Sequence, residues 1–539
     1  MERPWLKHYG SAVPETIDLG DYQNIMDMMI EASNKYSDRT AFSNFGATLS
    51  YREVDDLSRN FAAYLQSTGF QKGDRVALMS PNHLAFPVAM FGILRAGGVQ
   101  VSVNPLYTAA ELEYQLNDAD VETIVVFSGS TATLAEIKAN TRIKQIIVIN
   151  LNDLIDRDLP SPPTDERIKD FIPVTEALKL GASREFKPVE ISPEDLIFLQ
   201  YTGGTTGLSK AAMLTHGNLL SNILQFEAFM RAHICPGEEV IITALPLFHI
   251  FALMANALTY FRFGATNVLI TNPRDMTGFV DEWSQWSATV FTGVNTLFNG
   301  LLHTPGFDDL DFSSLRLSIG GGAPVQKAVS EKWKEVTGRH IVEAYGLSET
   351  SPLLTANLPG QSGFRSSIGI PVSSTDVSLR DDNGNVVAID KEGELCAKGP
   401  QIMVGYWGRD DATSDVMTDD NYFRTGDIAT MDEDGYFYIV DRKKDMILVS
   451  GFNVYPNEIE ALVAQMPGVM ESACIGVPDE STGEAVKLFI VRHDDSLTEE
   501  QVRDFCRESL TAYKVPKQVE FLSELPKSTV GKILRRKLR

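Results

Sequence analysis

A loop rich in glycine and threonine is the segment of this sequence best suited to chemistry. It follows the apolar run 196–201 and contains Thr202, Gly203, Gly204, Thr205, Thr206, Gly207 and Lys210. Glycines let backbone N–H groups approach an anion closely, hydroxyls add donors, and a lysine adds positive charge. We therefore predict a phosphate-binding loop. It is not the GxxxxGK[ST] pattern, because Gly207 and Lys210 are not adjacent, and taken alone it could also be a surface turn.

Three further segments carry groups that suit a nucleotide. The set Tyr345, Gly346, Glu349 and Thr350 joins an aromatic ring to hydroxyls and a carboxylate, which could stack on a base and hold Mg²⁺ beside a phosphate. The small residues Gly322, Ala323 and Pro324 could let a planar ring lie against the backbone, and Asp427 could accept hydrogen bonds from a ribose diol. Each segment alone also fits a plain turn, close packing or a surface aspartate.

Two single residues complete the candidate catalytic groups. His249 follows the apolar run 244–248 and could be either a site residue or a packed core histidine. Lys532 lies in the segment 526–535, which we expect to be a loop that ends in a basic helix. A cation at such a loop could neutralise charge where a carboxylate meets an α-phosphate. The same sequence also fits a lysine that is simply exposed to solvent.

The elements that position these loops divide into two regimes. Helix patterns at 51–67 and 85–94 alternate with strand patterns at 75–79, 99–103, 121–127 and 145–149, which predicts a parallel, doubly wound α/β sheet. From 376 to 438 short β-rich runs with Asn-Gly turns indicate an antiparallel sheet or small barrel. Helices at 457–465 and 498–510 then indicate an α+β region. We place the boundary so that residues 1–443 form a large N-terminal domain and residues 444–539 a small, mobile C-terminal one.

Composition limits the classes of function. The chain has 539 residues and a formal net charge of −24, which argues against nucleic acid as a partner. The segment 514–539 runs against that trend, with eight Lys or Arg residues and two acidic ones. The four cysteines are far apart and form no CxxC pair, which fits a reducing compartment. We expect a cytoplasmic protein that could lie peripherally on the inner membrane.

The order of these motifs resembles the adenylate-forming superfamily, which includes acyl-CoA synthetases, peptide adenylation domains and firefly luciferase. The resemblance rests on the loop from Thr202 to Lys210, then 345–350, 422–427 and Lys532, and on the stretch 421–444, which is similar to the fatty acyl-CoA synthetase motif. It extends over nearly the whole chain and is strongest with bacterial ligases for long-chain fatty acids. It implies ATP-dependent joining of a fatty acid to coenzyme A through an acyl-adenylate.

The resemblance also implies roles for residues. The glycine-threonine loop would grip the phosphates that leave, Thr202 and Glu349 would hold Mg²⁺, and Tyr345 with residues 322–324 would enclose adenine. Asp427 and Arg442 would bind ribose, and His249 would line the carboxylate site. Lys532 would act in adenylation only, because the small domain would swing about Lys444. Ser450, Gly451 and Phe452 would then face coenzyme A.

Several alternatives stay open. A ligase for medium-chain or aromatic acids has the same motifs, because the depth of the acyl pocket is not visible in a sequence. A fatty acyl-AMP ligase is disfavoured, since such relatives carry an insertion early in the small domain and residues 442–451 run on without one. An inactive acyl- or nucleotide-binding regulator would be expected to lack Lys532 or Glu349. A homodimer and contact with a membrane are compatible with the sequence.

Overall fold

The computed structural model describes residues 3–10, 13–202, 209–360, 363–479, 481–494 and 496–539. The strands are β1 (Thr40–Asn44), β2 (Ala47–Ser50), β3 (Arg75–Met79), β4 (Val99–Val103), β5 (Thr123–Phe127), β6 (Gln145–Ile149), β7 (Ile172–Pro173), β8 (Leu196–Thr202), β9 (Lys210–Thr215), β10 (Val240–Thr243), β11 (Thr266–Leu269), β12 (Val290–Gly293), β13 (Leu317–Gly320), β14 (Ile341–Gly346), β15 (Leu353–Ala356), β16 (Ile370–Pro371), β17 (Asp376–Arg380), β18 (Gly393–Lys398), β19 (Gly405–Tyr406), β20 (Phe423–Met431), β21 (Phe437–Arg442), β22 (Ile447–Val449), β23 (Phe452–Val454), β24 (Val469–Asp479), β25 (Gly483–Arg492) and β26 (Gln518–Leu522).

The α-helices are α1 (Ile25–Lys35), α2 (Tyr51–Ser67), α3 (Ala85–Arg95), α4 (Ala109–Asp118), α5 (Thr131–Ile137), α6 (Val174–Ala182), α7 (His216–Met230), α8 (Ile250–Ala252), α9 (Tyr260–Arg262), α10 (Met276–Trp283), α11 (Asn295–Leu302), α12 (Lys327–Thr337), α13 (Asp410–Asp415), α14 (Pro456–Val463) and α15 (Glu499–Ser509). A π-helical stretch, Leu253–Thr259, joins α8 to α9. Short 3₁₀ turns cover Pro4–His8, Ser128–Ser130, Lys138–Asn140, Arg231–His233, Ser348–Thr350, Ala512–Lys514 and Arg535–Lys537.

The eight-stranded sheet carries the glycine-threonine loop. Its order is β19-β9-β8-β4-β3-β5-β6-β7, and the pairs β8–β4, β4–β3, β3–β5 and β5–β6 are parallel. All five residues of β4 are buried, which is typical of a parallel strand covered on both faces. Helix α2 covers part of this core and starts with a capping box between Ser50 and Glu53. The predicted doubly wound sheet is confirmed.

The nine-stranded sheet supplies the nucleotide-side motifs. Its order is β16-β15-β14-β13-β12-β10-β11-β1-β2, with parallel pairing from β14 through β13, β12, β10 and β11 to β1. The segments 318–324 and 345–350 therefore follow neighbouring parallel strands, β13 and β14. Because the carboxyl ends of parallel strands meet at one edge of a sheet, the two segments lie side by side.

Two smaller sheets follow along the chain. The predicted β-rich region is an open antiparallel sheet in the order β17-β18-β20-β21, not a closed barrel. The C-terminal region has its own sheet, β23-β22-β25-β24, with β26 parallel to β25, and its own buried core around Ile459, Leu488 and Val502. The prediction of a large α/β domain, a β-rich subdomain and a small α+β domain is confirmed.

Two further points concern the C-terminal segment and helices that could span a membrane. The basic segment after Lys532 forms one 3₁₀ turn, Arg535–Lys537, where we predicted a basic helix. It is too short for helix nucleation on its own and is held by side-chain contacts of Arg535. None of the described helices is both long enough and apolar enough to cross a bilayer.

Candidate active site

The glycine-threonine loop connects β8 to β9, which pair antiparallel. Thr202 and Lys210 are partners at the end of this hairpin, and the Thr202 hydroxyl donates to the Lys210 carbonyl over 3.4 Å. Gly203, Gly204, Thr205, Thr206 and Gly207 lie outside the described residues, so their predicted phosphate role stays a prediction. The two residues that flank the loop are thus fixed to each other by the strand pairing.

Glu349 lies on the 3₁₀ turn Ser348–Thr350, which packs against β8 and β9. Its carboxylate accepts a hydrogen bond of 2.8 Å from the Tyr406 hydroxyl. Burial raises the pKa of Glu349, and the bond from Tyr406 opposes that shift. The Lys210 ammonium lies 5.1 Å from the centre of the Tyr406 ring. Tyr406, which sequence reasoning missed, therefore links the phosphate-loop lysine to the buried carboxylate.

Asp427 and Arg442 face each other on the antiparallel strands β20 and β21. Arg442 Nε is 3.5 Å from one oxygen of Asp427, and the Tyr345 hydroxyl donates to the other over 2.6 Å. Asp427 is buried. The structure thus brings together three residues that the resemblance assigned to ribose and adenine, although Tyr345 belongs to the nine-stranded sheet and the other two to the four-stranded one.

The glycine-rich bend after β13 lies against the end of β14. Gly320 pairs with Glu343, and a Cβ on Gly321 would lie 3.0 Å from the Ala344 carbonyl oxygen. Gly322 has a φ of +73°, a left-handed conformation that glycine adopts readily and that strains a residue with a side chain. The bend therefore exposes backbone close to β14, as a flat ligand beside Tyr345 would require.

Gly346 and Thr350 have structural duties in this region. A Cβ on Gly346 would overlap the Pro352 carbonyl oxygen at 1.6 Å. The Thr350 hydroxyl is buried, accepts from the Leu347 N–H over 3.0 Å and donates to backbone carbonyls of the same turn. Both residues shape the turn that presents Glu349, and direct contact of either with a nucleotide stays a prediction.

Glu343 is a second residue that the sequence reasoning missed. It is buried beside the glycine-rich bend, where it accepts from the Val325 backbone N–H, and its Oε2 has no hydrogen-bond partner among the described residues. Burial raises the pKa of Glu343 to about 8. Because side chains alternate along a strand, Glu343 lies on the same face of β14 as Tyr345, and that spacing was the available signal.

Lys532 reaches this cluster from the C-terminal domain. Loss of water contact, and then the charge of Arg442, lower the pKa of Lys532 to about 7, while Asp427 acts in the opposite direction. Its loop touches the large domain twice: Thr296 donates to the Gly531 carbonyl over 2.9 Å, and Asn104 donates to the Thr529 hydroxyl over 3.3 Å. Lys532 therefore lies near Arg442 and Asp427, while its predicted meeting with the glycine-threonine loop stays a prediction.

His249 lies near enough to Lys532 to feel its charge. It caps the short helix α8, and its Nδ1 accepts from the Phe251 backbone N–H over 3.3 Å. Burial, and then the charge of Lys532, lower the pKa of His249 to about 4, so the imidazole is neutral at pH 7. A neutral histidine near a cation leaves room for a carboxylate as the counterion.

Ser450, Gly451 and Phe452 form the hairpin between β22 and β23, and the contacts described for them lie within the C-terminal domain. Ser450 N–H donates to the Thr482 carbonyl, and Phe452 stacks on Tyr513 with ring centres 4.9 Å apart. Phe452 is 56% exposed. No contact among the described residues joins the hairpin to the Lys532 cluster, and its role toward coenzyme A stays a prediction.

Oxygen donors suited to a hard cation are present but few. The described residues contain no group of three or more His, Cys, Asp or Glu side chains that could hold a metal ion. Mg²⁺ needs no such group, because it commonly binds one or two protein oxygens and takes the rest from phosphates and water. Glu349 and the hydroxyl of Thr202, the last residue of the neighbouring strand β8, fit that pattern.

Comparison of this sequence with known proteins shows the family to which the chain belongs. A family model described as AMP-binding enzyme matches residues 30–407, and a model of the AMP-binding enzyme C-terminal domain matches residues 458–532. The chain belongs to the AMP-binding enzyme family. It is 51% identical to a long-chain-fatty-acid–CoA ligase of Yersinia pestis, in an alignment that covers 100% of this chain and 98% of that relative.

Among solved structures, this AMP-binding enzyme is similar to MatB from Rhodopseudomonas palustris in two states. With ATP-bound MatB the TM-score is 0.84 at 31% identity, and with apo MatB it is 0.72 at 31% identity. Each comparison covers 96% of this chain and 98% of MatB. Identity and coverage are the same in both comparisons. The better match with the ATP-bound state therefore reflects how the structural elements are arranged in space, not how much of the chain is aligned.

Proposed function

We propose that this AMP-binding enzyme is a long-chain-fatty-acid–CoA ligase that forms acyl-CoA, AMP and diphosphate from a fatty acid, ATP and coenzyme A. The observation that carries the proposal is the position of Lys532. A lysine from the C-terminal domain lies among Arg442, Asp427 and His249 of the large domain. The identity of 51% to a ligase of that name supports the choice of acid.

In the first half-reaction a carboxylate oxygen of the fatty acid attacks the α-phosphorus, and diphosphate leaves. Both reactants are anionic, so the attack needs nearby positive charge. Lys532 would bridge the carboxylate and the α-phosphate, while the loop 202–210 would hold the leaving phosphates. His249, neutral at pH 7, would line the carboxylate side.

The nucleotide would lie between the glycine-rich bend and β14. Asp427 and Arg442 would bind the ribose diol, and Tyr345 with residues 322–324 would enclose adenine. We assign Glu343 to the edge of the base, because its Oε2 is a buried polar atom that lacks a partner among the described residues. A buried polar atom without a partner is costly unless a ligand supplies one.

Mg²⁺ would be held by Glu349 and Thr202 together with phosphate oxygens. When bound, it would screen the negative charge of the triphosphate. Tyr406 fixes the orientation of Glu349 through its hydrogen bond, and burial keeps competing water away from the carboxylate.

In the second half-reaction the coenzyme A thiol attacks the acyl carbon of the adenylate, AMP leaves, and the thiol proton passes to solvent. Lys532 has no task in this step. We propose that the small domain turns about Lys444 and brings residues 450–452 to the site. Gly451 has a φ of +83° and no atom within 4 Å of an added Cβ, which leaves space for a narrow thiol arm.

The test is release of AMP or diphosphate over acids of graded length, with and without coenzyme A. We expect acid-dependent diphosphate exchange without coenzyme A, thioester only with it, and a preference for long chains. Each buried CH₂ contributes about 0.8 kcal/mol, so ten methylenes contribute on the order of 8 kcal/mol before entropy costs. A preference for short or aromatic acids would contradict the long-chain assignment while leaving the ligase chemistry intact.

Contact with a membrane and self-association into a homodimer stay predictions of the sequence. Flotation with vesicles and sedimentation of the purified protein would test them.

A further inference from the structure

Arg535 lies three residues after Lys532 and is buried in a polar cluster. Its guanidinium donates to both oxygens of Glu460, over 3.0 Å from Nε and 2.7 Å from Nη2. The same Nη2 donates to Asn457 over 2.5 Å, and Nη1 donates to Asp441 over 3.3 Å. Asp445 lies 3.6 Å from Nη1 as well, so Arg535 is held by three groups of the C-terminal domain and by one carboxylate of the four-stranded sheet.

Asp441 is the member of this cluster that belongs to β21. Its side chain is 0% exposed. One oxygen accepts from Arg535 and from the Arg442 backbone N–H at 2.7 Å, and the other accepts from the Asn457 backbone N–H at 2.9 Å. Asn457 is in the first turn of α14, where backbone N–H groups favour a negative charge. Asp441 therefore binds the C-terminal domain twice, next to the ribose-side residue Arg442.

The loop that carries Lys532 is closed on itself and leads directly to Arg535. Ser528 N–H donates to the Lys532 carbonyl over 2.7 Å, and Leu534 N–H donates to the Pro526 carbonyl over 2.8 Å. Large-domain side chains hold the tip of this loop at Thr529 and Gly531, as described above. Its other end is fixed through Arg535, so the position of the lysine depends on both attachments.

We propose that Asp441 and Arg535 are positioning residues for Lys532. The ion pair between Asp441 and Arg535 forms when the lysine enters the nucleotide site, and it must open for thioester formation. The inference rests on the proposed two-step function. Glu460 is in the same domain as Arg535 and moves with it, whereas Asp441 lies before Lys444 on a strand of the large domain. Any rotation about Lys444 changes the distance from Asp441 to Arg535 and leaves that from Glu460 unchanged.

The test compares Asp441→Asn with Glu460→Gln in the full-length enzyme. Asparagine keeps the size of the side chain and an acceptor for Asn457 but removes the charge that attracts Arg535. We expect diphosphate exchange to fall about tenfold or more in Asp441→Asn, as is usual for a lost hydrogen bond to a charged group. Thioester formation from supplied acyl-adenylate should be unchanged or faster. Glu460→Gln should change both half-reactions by the same factor.

Parallel changes in the two half-reactions of Asp441→Asn, or no change in either, would overturn the proposal. If that variant does not fold, Arg535→Lys is the second test. Lysine keeps the charge beside Glu460 but loses the planar fork that also reaches Asp441, and we expect the same selective loss. Failure of the proposed function would look different, because the unmodified enzyme would then show no acid-dependent diphosphate exchange.

Discussion

Substituting Gly531 by Ala should separate the two half-reactions by a predictable amount. Gly531 has a φ of +78°, and an added Cβ would lie 2.8 Å from Thr296 Oγ1 and 3.1 Å from Val294 Cγ2. The left-handed conformation costs alanine about 1–2 kcal/mol, but this strain exists wherever the loop lies and lowers stability alone. The contact with Thr296 exists only while the loop touches the large domain.

The selective part of the effect is therefore the clash and the weakened hydrogen bond from Thr296. A lost neutral hydrogen bond is worth about 0.5–1.5 kcal/mol. The clash also displaces the loop by a few tenths of an ångström. The clash and the weakened hydrogen bond together disfavour the adenylation arrangement by about 1–2 kcal/mol. That corresponds to a loss of about 5- to 30-fold in diphosphate exchange, with thioester formation from supplied acyl-adenylate unaffected.

Two matched variants make this test sharp. Gly338 ends α12 with a φ of +75° and has no atom within 4 Å of an added Cβ, so Gly338→Ala reproduces the strain without the clash. It should lower the Tm and leave both half-reactions alone. On a Thr296→Ala background, Gly531→Ala should cost adenylation less than it does alone. Equal losses in both backgrounds, or an equal fall in both half-reactions, would refute the reasoning.

Three further predictions follow from the site and the core. ATP binding should take up a proton between about pH 7 and pH 10, because Lys532 has a pKa of about 7 in the free enzyme and phosphates favour its charged form; calorimetry in buffers of different ionisation enthalpy would detect it, and Lys532→Met should abolish it. Tyr406→Phe should raise the Mg²⁺ concentration for half-maximal diphosphate exchange about tenfold, since Glu349 loses a hydrogen bond, and an unchanged Mg²⁺ dependence would contradict this. Buried His83 has a pKa of about 4, below its ordinary 6.5, so the unfolded chain takes up the proton first and stability falls as pH drops below 6.5. The loss is about 2 kcal/mol at pH 5, and in denaturant unfolding His83→Gln should lose that much less on acidification than the unmodified protein.

Local pattern predicted much of the fold. The helix at 51–67 and the strands at 75–79, 99–103 and 145–149 have the predicted bounds, because their hydrophobic periods and flanking turns are unambiguous. The sequence also indicated Asp427, Tyr345 and Lys532 as site residues; they lie near one another, and their roles toward a nucleotide stay predictions. Motif order carried that choice, since no single segment distinguished a site from a turn.

The residues that the sequence did not reveal act through tertiary contacts. Tyr406 follows a glycine in a two-residue strand, and only the pairing of β19 with β9 brings its hydroxyl to Glu349. Glu343 reads as a half-exposed strand residue until the bend after β13 covers it. Asp441 and Arg535 are 94 residues apart, and charge pattern alone gives no reason to pair them.

The balance of charge in the site explains why these contacts matter. Arg442, Lys444 and Lys532 lie near one another, and the carboxylates that act on the two lysines are Asp445, Asp427 and Glu349. Burial raises the pKa of Glu349, and Asp427 already accepts a hydrogen bond from Tyr345. When no nucleotide is bound, burial, and then the charge of Arg442, lower the pKa of Lys532. A triphosphate and a carboxylate would supply negative charge beside Lys532, so the same groups that bind the substrates also draw Lys532 into place. Once diphosphate has left, part of that attraction is lost, and the Asp441–Arg535 pair then has less support from the site when the small domain turns.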